Sequence, residues 1–105
     1  MATLKVLLHG KEVSSLRLEP GREYVFGRAE GNAVQLDEQP GISRQHFRIS
    51  DESGQWIASV ISKFGEVIHG GQPVPLVELT HGAVFKLAGY DFRFLETDER
   101  SQVVS

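Results

Sequence analysis

Two short stretches of this chain carry residue types that suit oxyanions. Phe26-Gly27-Arg28 closes one apolar run, and Gly41-Ile42-Ser43-Arg44-Gln45-His46 opens another after a short loop. A guanidinium offers a planar fork of donors, and a serine hydroxyl adds a short donor beside it, a set that fits a phosphate. Each residue also has an ordinary structural reading. Arg28 is a fit partner for the surface carboxylate of Glu30. Ser43 is a common turn-stabilising hydroxyl, and His46 reads as a brace. A nucleophilic Ser43–His46 pair would need an orienting acid and an oxyanion hole, and one short loop leaves little room for either. The other histidines, His9, His69 and His81, fall at turns without metal-ligand spacing. Neither a metal nor a cofactor is expected, and the chain is not read as an enzyme.

The elements that must position these residues are short. Apolar runs at Leu4–Leu8, Leu16–Leu18, Tyr24–Phe26, Ala33–Leu36, His46–Ile49, Trp56–Ile61, Glu66–Ile68, Ala83–Leu87 and Tyr90–Leu95 are each closed by a turn signal such as His9-Gly10, Pro20-Gly21, Ser53-Gly54, Gly70-Gly71 or Ala88-Gly89. Runs of this length, rich in Val, Ile and Phe and punctuated by glycine, are strands. No stretch keeps helical apolar spacing over three turns. About ten strands in so small a chain point to an all-β sandwich. Trp56, Phe85, Phe92 and Phe94 are read as core.

Composition narrows the function classes. The chain has 105 residues, 40% hydrophobic and 24% charged, which suits a single domain. Its formal net charge of −3 argues against a nucleic-acid binder. The absence of cysteine excludes disulfides and thiolate metal sites. The first residues lack the pattern of a signal peptide, and no run approaches the length of a membrane helix. The expected location is the cytoplasm, without membrane insertion. The polar stretch 97–105 reads as a tail or the start of a linker, with the domain proper at 1–96.

The order and spacing of these motifs resemble the forkhead-associated (FHA) domain family. The matching features are Gly27-Arg28, then Asn32 to Leu36, then Ser43-Arg44-Gln45-His46 opening a strand, then Trp56, Gly65 and Gly70, and finally the strand pair around Gly89. The likeness runs from roughly Leu4 to Leu95. It implies a β-sandwich of about eleven mostly antiparallel strands, of the SMAD/FHA type, whose loops at one end bind phosphothreonine peptides. By that resemblance Arg28 binds the phosphate and Ser43 donates to it. Arg44 and Lys63 touch the phosphate or the flanking peptide. Gly27 is a packing glycine, His46 braces the loop carrying the serine, and Gly65 supports the site.

The chain departs from the family pattern in one region. The run Ser62-Lys63-Phe64-Gly65-Glu66 stands where many members have Ser-x-Asn-Gly-Thr, so Phe64 replaces an asparagine that bonds the peptide main chain. Each lost bond would weaken binding by about 0.5–1.5 kcal/mol, and an aromatic there would instead pack on an apolar peptide residue. Glu66, His69 and Ser59 also replace family residues. Two functions follow from the resemblance. The first is a phosphothreonine-dependent protein–protein interaction module in Ser/Thr-kinase signalling of the bacterial type, within a larger protein. Its ligand would be another protein or a segment of its own chain, with Thr3 and Thr97 as candidate self-sites. The second is a degenerate FHA domain acting as a phosphate-independent scaffold or oligomerisation unit.

Overall fold

The computed structural model describes residues 2–36, 42–63 and 65–96. Its strands are β1 (Ala2–Leu8), β2 (Lys11–Leu18), β3 (Tyr24–Gly27), β4 (Val34–Gln35), β5 (Phe47–Glu52), β6 (Gln55–Val60), β7 (Val67–His69), β8 (Gln72–Val74), β9 (Leu76–Leu79), β10 (Val84–Leu87) and β11 (Tyr90–Glu96). They form two sheets, ordered β2-β1-β11-β10-β7-β8 and β4-β3-β5-β6-β9. Every pair is antiparallel except β3–β4. The expected FHA-type all-β sandwich is therefore what the chain builds. No helix among the described residues is long and apolar enough to cross a membrane.

Turn chemistry sets the hairpins. Ser53-Gly54 and Gly70-Gly71 each join two strands with both residues at positive φ (54°, 85° and 64°, 82°). This is the two-residue geometry whose twist matches that of paired strands. Alternation along the strands sends one face inward. Leu4, Val6, Phe26, Phe47, Ile49, Phe85, Phe92 and Phe94 are fully buried between the sheets. Phe26 and Phe47, from neighbouring strands, stack at 4.6 Å. Phe92 meets Phe47 edge-on at 5.0 Å and stacks on Phe85 at 5.0 Å. Trp56, Phe85, Phe92 and Phe94 are core residues, as read from the sequence.

Three stretches outside the apolar runs are also strands. The first half of β2, Lys11 to Ser15, is mostly exposed and polar because β2 is an edge strand with little to bury. β8 and β9 flank Pro75, and β8 contains Pro73. Proline lacks the N–H a ladder needs, and it survives here because β8 and β9 are the outer strands of their sheets.

The registers fix which loops share an end. Leu8 pairs with Tyr90, Leu87 with Tyr90, and Lys86 with Ile68. The turns at 9–10 and 88–89 and the loop before β7 therefore lie at one end of the sandwich. The segments after β3 and before β5 lie there too. The turns at 53–54 and 70–71 lie at the other end.

Candidate functional site

The site begins one residue beyond the phenylalanine stack. Phe26 and Phe47 hold the ends of β3 and β5 together, and the His46 N–H donates to the Phe26 carbonyl at 2.8 Å. Past that point the chain after β3 and the chain before β5 stay in contact. The Arg28 N–H donates to the Ser43 carbonyl and the Ala29 N–H to the Arg44 carbonyl, both at 3.1 Å. So close an approach is open only to glycine at position 27. A Cβ there would fall on the Arg44 carbonyl, with the Ser43 oxygen 2.8 Å away.

This pairing brings Arg28 and Ser43 side by side. The half-buried Arg28 side chain donates through Nε to the Ile42 carbonyl at 3.1 Å. That bond sets the guanidinium plane, and Nη1 and Nη2 are the remaining donors of the fork. The ordinary reading of Arg28 as a partner of Glu30 is not what forms, since its bond goes to a backbone carbonyl. Two further side chains brace the same loops. Asn32 Nδ2 donates to the Arg44 carbonyl at 2.8 Å, and Gln35 Nε2 donates to the Arg28 carbonyl at 3.2 Å.

His46 ties the loops together. It is buried, with 1% of its surface exposed. The Ser43 N–H donates to its Nδ1 at 3.1 Å, and its Nε2 lies 3.0 Å from the Glu66 carbonyl. A backbone N–H can only donate, so Nδ1 is the acceptor and Nε2 carries the proton. The His46 carbonyl accepts from the Ile61 N–H at 2.9 Å and the Ser62 N–H at 3.2 Å. Every polar atom of His46 is thus engaged, and its partners come from β3, the loop before β5 and the loop before β7. Neither ring nitrogen faces the Ser43 hydroxyl, so His46 is not placed to deprotonate it. Gly65 is required by the same packing. A Cβ on it would lie 2.8 Å from His46 Cε1, His46 Nε2 and Ser62 Cβ.

The hydroxyl of Ser43 meets a residue that sequence reasoning passed over. Ser43 Oγ and Ser62 Oγ are 2.6 Å apart, a short hydroxyl–hydroxyl bond. Ser62 keeps the serine of the family's Ser-x-Asn-Gly-Thr run, but its partner nineteen positions away left no local sign of this bond. Its neighbour Lys63 is exposed, as is Arg44, so both cations are at the surface beside this pair. Phe64 lies outside the described residues, as does the stretch 97–105. His69 stands beside the turn at the opposite end of β7, and its departure from the family pattern does not touch this site.

The arrangement gathers hydroxyls and a guanidinium at one end of the sandwich, a donor set that suits an anion, and none of the described residues is placed as a base to Ser43. Comparison with known proteins agrees with the fold. The family model described as "FHA domain" matches residues 24–88. No curated protein sequence matches the chain. Among solved structures, the FHA domain of the CT664 protein from Chlamydia trachomatis superimposes with a TM-score of 0.77 at 22% identity, covering 92% of this chain and 98% of that one. The FHA-1 domain of Rv1747 from Mycobacterium tuberculosis gives 0.70 at 22% identity, covering 90% and 98%. A domain from a study of phosphothreonine-dependent FHA domain interactions gives 0.74 at 18% identity, covering 91% and 98%.

Proposed function

This chain belongs to the FHA-domain family, and from that premise we propose that it is a non-catalytic module that docks a phosphothreonine-bearing segment of a partner protein in Ser/Thr-kinase signalling. One observation carries the reading. Arg28 and Ser43 are held side by side, with Ser43 Oγ 2.6 Å from Ser62 Oγ and Arg28 Nε anchored on the Ile42 carbonyl. The preference for threonine over serine rests on family membership and on the phosphothreonine-dependent relative.

A phosphorylated side chain carries about −1.5 to −2 charge near neutral pH and three strong acceptor oxygens. The Nη pair of Arg28 faces it as a fork. Ser62 donates its proton to Ser43 Oγ, which leaves the Ser43 proton for a phosphate oxygen. Arg44 and Lys63 add positive charge at the rim. Phe64 packs on an apolar residue of the peptide. The partner is a substrate of a Ser/Thr kinase, either another protein or a segment of the same chain, and the complex forms in the cytoplasm, where such kinases find ATP. Two charge-assisted bonds at about 1.5–3 kcal/mol each put the cost of Arg28→Ala at roughly a hundredfold or more in affinity.

Titration with a phosphothreonine peptide library, with the unphosphorylated library and Arg28→Ala as controls, tests this. Binding that needs both the phosphate and Arg28 supports it. Equal binding of the two libraries, unaffected by Arg28→Ala, overturns it and favours a phosphate-independent scaffold.

A further inference from the structure

The two sides of the sandwich are closed differently. On one side β8 passes directly into β9 through Pro75, and Pro73 occupies β8 itself, so proline guards both outer strands. On the other side β2 and β4 are separate outer strands with a groove between them. β2 has eight residues and no proline, about 27 Å of extended backbone at the usual rise. The groove has a volume of about 460 Å³, and its walls include Leu8, Val13 and Tyr90 from one sheet and Val34 from the other. Val13 is 54% exposed, the most exposed large hydrophobic side chain among the described residues.

The groove adjoins the anion site. β4 pairs with β3 so that Val34 faces Phe26 and Gln35 faces Gly27. The Gln35 side chain, in the groove wall, also holds the Arg28 carbonyl. Leu8 and Tyr90 are the strand ends nearest the turns at 9–10 and 88–89, which share the end of the sandwich with Arg28 and Ser43. One strand spacing of about 4.8 Å separates β4 from β3. The β4 wall of the groove therefore lies next to the strand that leads into Arg28, and a chain held at Arg28 and Ser43 has the groove as its neighbouring surface.

We propose that the groove between β2 and β4 is a second docking surface, which takes an extended apolar segment of the same partner chain that carries the phosphothreonine. Among the described residues no strand pairs with the outer edge of β2, and such an edge offers backbone donors and acceptors for strand addition, with alternate side chains of the added strand entering the groove. The charges along β2 are of both signs, Lys11, Glu12 and Arg17, with Glu12 paired to Lys5 at 3.1 Å. Apolar contact and backbone pairing, rather than net charge, therefore select the segment. Two linked contacts raise affinity beyond that of either alone, because binding at the phosphate holds the segment close to the groove.

This inference rests on the proposed function, and the experiment separates the two. Two pools of phosphothreonine peptides with randomised flanks are compared, one with three residues on each side and one with ten, each also in unphosphorylated form. They are titrated against the wild-type protein, Val13→Asp and Arg28→Ala. The long pool is expected to bind at least tenfold tighter than the short pool and to enrich apolar residues at alternate positions of one flank. Val13→Asp, at an exposed position that leaves the core intact, should reduce the long pool to the affinity of the short pool and leave the short pool unchanged. Equal affinity of the two pools for wild type, or a long pool indifferent to Val13→Asp, overturns the groove. Loss of phosphate dependence overturns the proposed function instead. In that event the unphosphorylated long pool must still weaken at least fivefold on Val13→Asp, and no effect there overturns the groove as well.

Discussion

His46→Ala is expected to unfold the site while removing no group that touches the ligand. The substitution deletes the acceptor of the Ser43 N–H and the donor to the Glu66 carbonyl, bonds of 3.1 and 3.0 Å made by a residue only 1% exposed. Each abandoned backbone group costs about 1–3 kcal/mol when it is left unpaired out of water. The total of about 2–6 kcal/mol is a large share of the ~5–15 kcal/mol that holds a domain folded. Urea titration reads this as a lower midpoint, and a phosphothreonine peptide titration at low denaturant reads the loosened Ser43 loop as lost affinity. Gly65→Ala supplies the internal check. Its Cβ would lie 2.8 Å from two ring atoms of His46 and from Ser62 Cβ, an overpacking of about 1–3 kcal/mol. In the His46→Ala background two of those three contacts vanish, so Gly65→Ala should cost at least about 1 kcal/mol less there. Independent sites add within about 0.3–0.5 kcal/mol. Additive effects, or a His46→Ala penalty under about 1 kcal/mol, would refute the brace.

Gly27→Ala should destabilise the fold by about 2 kcal/mol or more, because its Cβ meets a backbone carbonyl that cannot move without breaking the bonds of Arg28 and Ala29; chemical denaturation checks it. Ser62→Ala should lower phosphopeptide affinity three- to tenfold, about 0.5–1.5 kcal/mol, with stability nearly unchanged and with recovery in Ser62→Thr, measured by calorimetric titration. Affinity should fall as pH drops through about 6, where the phosphate takes up its second proton and loses a charge, and Arg28→Ala should flatten that profile. Phe64→Asn should strengthen phosphopeptide binding by about 0.5–1.5 kcal/mol if a main-chain bond to the peptide is regained, and unchanged affinity would show that no such bond is made.

The parts of the fold and site legible in the sequence share a physical cause. Arg28 and His46 stand two and one residues from Phe26 and Phe47, which must be buried, so locating the core also locates them. Strands that bury one face announce themselves through alternation, as β1 and β11 do. Outer strands bury less, and so the first half of β2 reads as a polar loop. Proline argues against strands in general, yet β8 contains Pro73 because, among the described residues, no further strand pairs with its outer edge. The partners of the braces are silent for another reason. Asn32 bonds a carbonyl twelve residues away and Ser62 a hydroxyl nineteen away. Their partners are chosen by the tertiary fold, and no local pattern records that choice. His69 shows the converse, a residue that aligns with a family position but stands at the end of the sandwich away from Ser43.

This arrangement also ranks the proposed ligand groups. Arg28 is fixed through Nε, and Ser43 through both its N–H and its hydroxyl, before any ligand arrives. Ordering a long side chain on binding costs about 0.5–1.5 kcal/mol, and these two have already met that cost in the folded state. Beneath them the stacked phenylalanines admit little displacement, since a close-packed core shifts only at the expense of its contacts. Arg44 and Lys63, exposed at the rim, are screened by solvent. On the proposed function, Arg28 and Ser43 are therefore expected to govern how long a phosphorylated partner stays. Arg44 and Lys63 are expected to govern how fast it arrives and how strongly salt slows it.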